Sequence, residues 1–167
     1  MKDTVEALPV LKGKTSVALF KKYGVMKDTE TTSRAHIFIE KFCKQVTIEA
    51  EVMVQIGRTQ VFPAAIRHQA LLAETVAACK AAGSDADVTR EELERYAEMI
   101  GQLRTKLEKL EHTLEHADAE PWAHAKHIKT AVRPAMNELR TVVDELEGVT
   151  SADLWPLPTY REMLFIK

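Results

Sequence analysis

The sequence predicts an all-α protein, and three observations carry that prediction. Glycine and proline are scarce, six of each in 167 residues, so few positions interrupt a helix. No pair of alternating strands is joined by a tight turn. Two long stretches repeat apolar residues at spacings of three and four, the period of an amphipathic helix. At this length one sizeable core is expected, so 1–167 reads as a single helical domain.

The first helix is expected over 15–23, with Val17, Leu19, Phe20 and Tyr23 as its apolar set. Gly24 followed by Val25 reads as a left-handed cap with its hydrophobic contact. A long helix follows, from about residue 29 to 82. Ile37, Phe38, Ile39, Phe42, Val46, Ile48, Val52, Met53, Val54 and Ile56 cover most of its circumference, the pattern of a buried central helix. Pro63 lacks an amide donor and is expected to kink or break this helix near Gln60. The segment from Ala64 then runs to Gly83.

Residues 84–87 read as a loop, and Thr89 with Glu92 as a capping box. Leu93, Tyr96, Ile100, Leu103, Leu107, Leu110, Leu114 and Ala117 then form an unbroken heptad seam. Pro121 suits the first turn of the next helix, where Ala125, Ile128, Val132, Ala135, Leu139, Val142 and Leu146 repeat the spacing as far as Gly148. Two such seams joined by a short loop predict an antiparallel coiled-coil-like hairpin over 89–148, packed with the kinked central helix. Met136 and Val143 widen the apolar stripe towards its base. The positions flanking the first seam, including Arg104, Lys106 and Glu111, are charged.

The remaining residues, 149–167, read as an ordered docking tail. Trp155, Pro156, Leu157 and Pro158 form a stiff extended strap, because proline restricts both itself and the residue before it. Tyr160, Leu164 and Phe165 follow in a short amphipathic turn. Apolar side chains at a terminus need something to dock on.

Bulk chemistry narrows the function classes. A formal charge of −2 gives no basic field for nucleic acid and no polybasic membrane patch. The N-terminal residues show no signal-peptide core, and no apolar run approaches the ~20 residues that span a bilayer. Cys43 and Cys79 fit reduced thiols on apolar helix faces, so a cytoplasmic setting is expected. His112 and His116 are four apart, and His124 and His127 three apart, near the hairpin tip with Glu111, Glu115 and Asp118. That spacing can hold Zn²⁺ or another borderline metal. In the heptad register, however, three of these histidines point outward, and a solvated polar tip is the better reading. No phosphate loop and no nucleophile with a base at motif spacing is present. Residues alone therefore supply no active site.

An ordered series of short segments then resembles type III glutamine synthetases. It begins with Thr4-Val5-Glu6-Ala7-Leu8-Pro9, like the segment after the catalytic core, and continues through Ala18-Leu19-Phe20-Lys21-Lys22-Tyr23-Gly24-Val25 and Ser33-Arg34. Ile48-Glu49-Ala50, Met53, Pro63-Ala64, Pro134-Ala135-Met136 and Val143-Asp144-Glu145-Leu146 follow. It closes on Trp155-Pro156-Leu157-Pro158-Thr159-Tyr160 and Leu164-Phe165. One departure is Ala35, where relatives often carry an aromatic after Ser-Arg.

The resemblance implies a C-terminal region of a ligase that joins ammonia to glutamate with ATP and Mg or Mn. Its partners would be the β-grasp and catalytic domains of the parent enzyme, and further copies in a large two-ring assembly. The metal and nucleotide ligands of the family match nothing here, so no catalytic, cofactor or metal residue is carried over. Two alternatives stand beside it: a free-standing helical adaptor, and a His-rich metal-binding bundle.

Overall fold

In the computed structural model every regular element among the described residues, 3–115, 120–158 and 160–164, is helical. Asp3 caps α1 (Thr4–Leu11), its carboxylate accepting from the Glu6 amide at 2.9 Å. The sequence reading did not include this helix, and Pro9 inside it is a residue that usually ends one. α2 (Lys14–Lys22) ends at Gly24, whose φ of 64° provides the expected left-handed cap. The Val25 amide donates to Phe20 O and the Gly24 amide to Lys21 O, the two bonds of a Schellman cap. Gly83 (φ 72°) ends α4 (Phe62–Ala81) in the same way.

Pro63 does not break the helix. α3 (Asp28–Ile56) passes into a π-helical turn, Gly57–Val61, and α4 continues from it. The Phe62 amide donates to Gly57 O, five residues back. In an α-helix the proline ring would clash with the carbonyl four residues back, and the wider turn relieves that clash. The device recurs where the sequence reading placed no interruption. α6 (Pro121–His127) leads through a second π-turn, Ile128–Val132, into α7 (Arg133–Val149), and the Arg133 amide donates to Ile128 O. Each π-turn closes on the same pattern, Val61-Phe62-Pro63-Ala64 and Val132-Arg133-Pro134-Ala135. The valine and alanine of each are buried and each proline is exposed.

α5 (Asp87–Leu114) starts earlier than expected. Asp85 accepts from the Asp87 amide at 2.9 Å, so Thr89 and Glu92 lie inside the helix and form no capping box. Glu92 pairs with Arg95 instead. α6 is capped by Glu120, which accepts from the Ala123 amide at 2.7 Å, with Pro121 in its first turn.

The contacts divide the chain into two compact units, residues 1–52 with 111–136 and residues 53–110 with 137–167. In the first, α3 buries Thr31, Ala35, Ile39, Cys43, Val46 and Ala50, and α6 with its π-turn and the start of α7 buries Ala125, Ile128, Val132 and Ala135. α3 is therefore not buried all round. Ile37 and Ile48 are 57% and 58% exposed, and Phe38 and Val52 are exposed with them. Its second apolar face lies open, because only one stripe finds partners within the unit.

In the second unit α5 contributes Tyr96, Ile100, Leu103, Leu107 and Leu110, and α7 contributes Leu139, Val142 and Leu146. Gly57, Val61, Ala64 and Ala65 form the small-residue side. Gly57 meets Leu107, while the His68 ring meets the edge of Tyr96 at 4.8 Å. Eleven residues forward on one helix match eleven back on the other, so the π-turn with α4 runs antiparallel to α5. Lys106 with Glu138 and Tyr96 with Thr150 set α7 antiparallel to α5 by the same reasoning. Leu93 and Leu114 at the seam's ends are half-buried, and Ala117 lies outside the described residues.

Among the described residues no helix is long and apolar enough to cross a membrane. A methyl group at Gly57 would stand 2.6 Å from Leu107 Cδ2, whereas one at Gly101 would meet open space. Gly57→Ala should therefore destabilise the fold by about 1–3 kcal/mol through overpacking against a buried leucine. Gly101→Ala, in an exposed helix interior, should stabilise it by about 0.5–1 kcal/mol. Denaturant midpoints of the two variants check the contrast, which fails if they move together.

Candidate functional site

The hairpin-tip histidines are not brought together. His112 Nδ1 lies 3.2 Å from Glu115 on its own exposed surface. His127 Nε2 reaches Thr113 O at 2.9 Å, which fixes that ring to the backbone of the preceding helix. His124 lies half-buried in a different setting, and His116 is outside the described residues. Among the described residues no three His, Cys, Asp or Glu side chains are grouped so as to hold a metal ion.

His124 shares a shallow concavity of about 410 Å³ with Glu40, Cys43, Thr47, Glu51 and Pro121. Cys43 is buried there, its thiol 3.5 Å from Pro121 O. Burial pushes this thiol above its ordinary range, with Glu120 and Glu40 adding to the effect. A raised pKa keeps the group protonated and weakly nucleophilic. The chemistry that results is structural.

Two polar clasps in the second unit have more defined geometry. Lys109 Nζ lies 2.7 Å and Lys106 Nζ 2.9 Å from the Glu138 carboxylate. Hydrogen bonds from Lys109 and then Lys106 hold Glu138 down at about 2. At the other end Thr150 donates to Leu146 O at 2.6 Å. A threonine hydroxyl has one proton, so the 2.6 Å bond between Tyr96 and Thr150 is donated by the tyrosine. Tyr96 is fully buried, and burial raises its phenol pKa against the opposing hydrogen bond to Thr150.

This anchor begins the C-terminal tail. The Leu154 and Trp155 amides both donate to Ser151 O, and Ser151 also bonds the Asp153 carboxylate. Trp155, Pro156 and Leu157 are half-buried, and the indole Nε1 of Trp155 is sealed from solvent without a hydrogen-bond partner. Pro158 is exposed, and Leu164, in α8 (Tyr160–Leu164), is 73% exposed. Along the tail, burial is thus greater at Trp155 to Leu157 than at Leu164. Phe165 and the side chain of Tyr160 lie outside the described residues. The Tyr96–Thr150 clasp was missed in the sequence because Thr150 follows the last seam position and carries no periodic signal.

The remaining surface feature is the distribution of uncovered apolar side chains. Val10, Leu19, Tyr23, Val25, Ile37, Phe38, Ile48, Val52, Ile66 and Leu71 are exposed within residues 1–80. Beyond residue 80 only Val88, Met163 and Leu164 join them among the described residues. That segment coincides with a family match: residues 1–80 fit the glutamine synthetase C-terminal domain. The chain is also 28% identical over 173 residues to the type-3 glutamine synthetase of Dictyostelium discoideum, covering 99% of this chain and 24% of that protein.

The chain is similar to the C-terminal domain of glutamine synthetases over residues 1–80.

Two bacterial glutamine synthetases extend the similarity. The Bacteroides fragilis protein is 25% identical over 86% of the chain and 21% of its own length. The Butyrivibrio fibrisolvens protein is 25% identical over 99% of the chain and 24% of its own length. The chain thus spans about a quarter or less of the glutamine synthetases it matches. The family match ends at residue 80, whereas the pairwise similarities to the Dictyostelium and Butyrivibrio proteins take in nearly all of the chain, heptad helices included.

Two measurements test the clasps of this chain. Thr150→Val leaves the buried Tyr96 hydroxyl with no acceptor and should cost about 1–3 kcal/mol, more than Tyr96→Phe at about 0.5–1.5 kcal/mol, since Thr150 keeps its bond to Leu146 in the latter. Equal losses in urea unfolding would contradict the assigned donor direction. Glu138 has its pKa depressed in the fold from an ordinary 4.5 to about 2. Its contribution is therefore complete above about pH 4.5 and is lost as the pH falls through about 2. Glu138→Gln should flatten the acid limb of the stability profile in that window, which a pH series of thermal melts will show.

Proposed function

We propose that this chain is the C-terminal helical part of a type III glutamine synthetase and that it serves subunit assembly and shape. ATP-dependent ligation of glutamate and ammonia, with its divalent metal ions, belongs on this reading to the rest of a cytoplasmic, multi-subunit enzyme. The observation that carries it is the asymmetry of coverage: nearly all of this chain matches the Dictyostelium relative, but only 24% of that relative is matched.

The surface supports the same reading. Large apolar side chains left uncovered on α2, α3 and α4 fall within the family-matched residues 1–80. Exposed apolar faces of that extent mark places where other protein packs. The catalytic and β-grasp domains and neighbouring subunits are the proposed occupants. The described residues do not fit a site for the divalent ions, since no suitable group of ligands comes together. No step of the ligase reaction is therefore routed through this chain.

Activity measurement separates this from a catalytic role. The 167-residue chain, given glutamate, ATP, Mg²⁺ and hydroxylamine, should form no γ-glutamyl hydroxamate. Product formation by the purified chain would overturn the assignment of catalysis to other domains. Deleting residues 89–147 from a full-length synthetase should reduce the size of its assembly; an unchanged oligomer with unchanged activity would remove the arm from the assembly role.

A further inference from the structure

We propose that α1 is a charge-latched flap, held closed over Trp122 by Lys129 and Lys12 and released by ionic strength before the rest of the fold yields. Nothing on α1 is fully buried. Val5, Leu8 and Leu11, spaced by three, give it only a half-buried apolar stripe. Its attachment therefore depends on charge to a degree that α3, α5 and α7 do not share.

The latch has two parts. Lys129, on the π-turn after α6, reaches two carboxylates of the flap, Asp3 at 2.9 Å and Glu6 at 2.5 Å. At the far end of α1, Lys12 Nζ stands 4.0 Å above the centre of the Trp122 ring. The other side of the problem is the ring itself. Trp122 takes the edge of His36 at 6.2 Å, and its indole Nε1 is buried with no hydrogen-bond partner. An indole N–H without a partner loses nothing when its cover lifts, because water then satisfies it. The closed state is thus held by three contacts from two lysines and opposed by one orphaned donor.

Such a balance responds to salt. Ion pairs and cation–π contacts near the surface weaken as salt is added, since screening shortens from ~10 Å at 0.1 M to ~3 Å at 1 M. The buried heptad stripes strengthen, if anything, in high salt. Opening uncovers Trp122 together with the Val5, Leu8 and Leu11 stripe, so the flap couples ionic conditions to the exposure of an apolar surface.

Hydrogen exchange on the intact chain tests this directly. Raising NaCl from about 50 mM to about 1 M should lower amide protection in residues 7–11 about five- to tenfold while residues 100–110 keep theirs. Lys129→Gln should show the lowered protection already at low salt and little further salt dependence. Asp3→Asn with Glu6→Gln gives a second route to the same result, since asparagine still caps a helix. Salt-independent protection of α1, wild-type protection in these variants, or an equal loss of protection in α5 would each overturn the proposal.

Discussion

The second unit depends on one close approach, that of the bare backbone of Gly57 to the Leu107 side chain. A Cβ there would stand 2.6 Å from Leu107 Cδ2, so the two helices can be this near only because the position is glycine. Alanines at 64 and 65 keep the small-residue side low, and the large residues of α5 from Tyr96 to Leu107 supply the volume. Small-against-large pairing of this kind fills an interior at native density without forcing side chains off their rotamers. The π-turn that presents Gly57 is itself a consequence of Pro63, so a proline and a glycine, residues that usually end helices, together set the packing against α5.

The sequence made the class and the seams legible for a simple reason: burial on a helix repeats, and repetition can be counted. Tyr96 to Leu110 and Ala125 to Leu146 are buried at every expected seam position. What repeats less regularly was read less fully. Pro63 was expected to kink or break the helix near Gln60; the α-helix gives way there to the π-turn Gly57–Val61, a form that the missing donor alone does not reveal. Pro134 does the same in α7 and gave no warning, since the apolar period runs through it. The apolar circumference of α3 was taken for full burial; composition says which side chains are apolar, not whether partners are present to cover them. Capping at Thr89 gave way to Asp85 by one helical turn, a boundary that local residue types do not resolve. Three of the four candidate histidines were read as outward-facing, and each described ring has a different local setting.

The two regions of the chain differ in what they leave to others. Residues beyond 80 bury their apolar seams, partly against residues 1–80, as in the approach of Leu107 to Gly57. Residues 1–80 also leave apolar faces uncovered and coincide with the segment that fits the glutamine synthetase C-terminal domain. A domain that completes itself in one part and remains incomplete in another is suited to work as a component.

The Tyr96–Thr150 clasp has a consequence for where this domain can be cut. α7 ends at Val149, and a truncation drawn there would look conservative on any diagram of helices. It would remove the acceptor of a fully buried phenol on α5, that of Tyr96. It would also remove Ser151, whose carbonyl gathers the amides of Leu154 and Trp155. The functional boundary of the second unit is therefore set by a side chain one residue past its last helix, and shortened versions stay intact only when they carry that residue and the turn behind it.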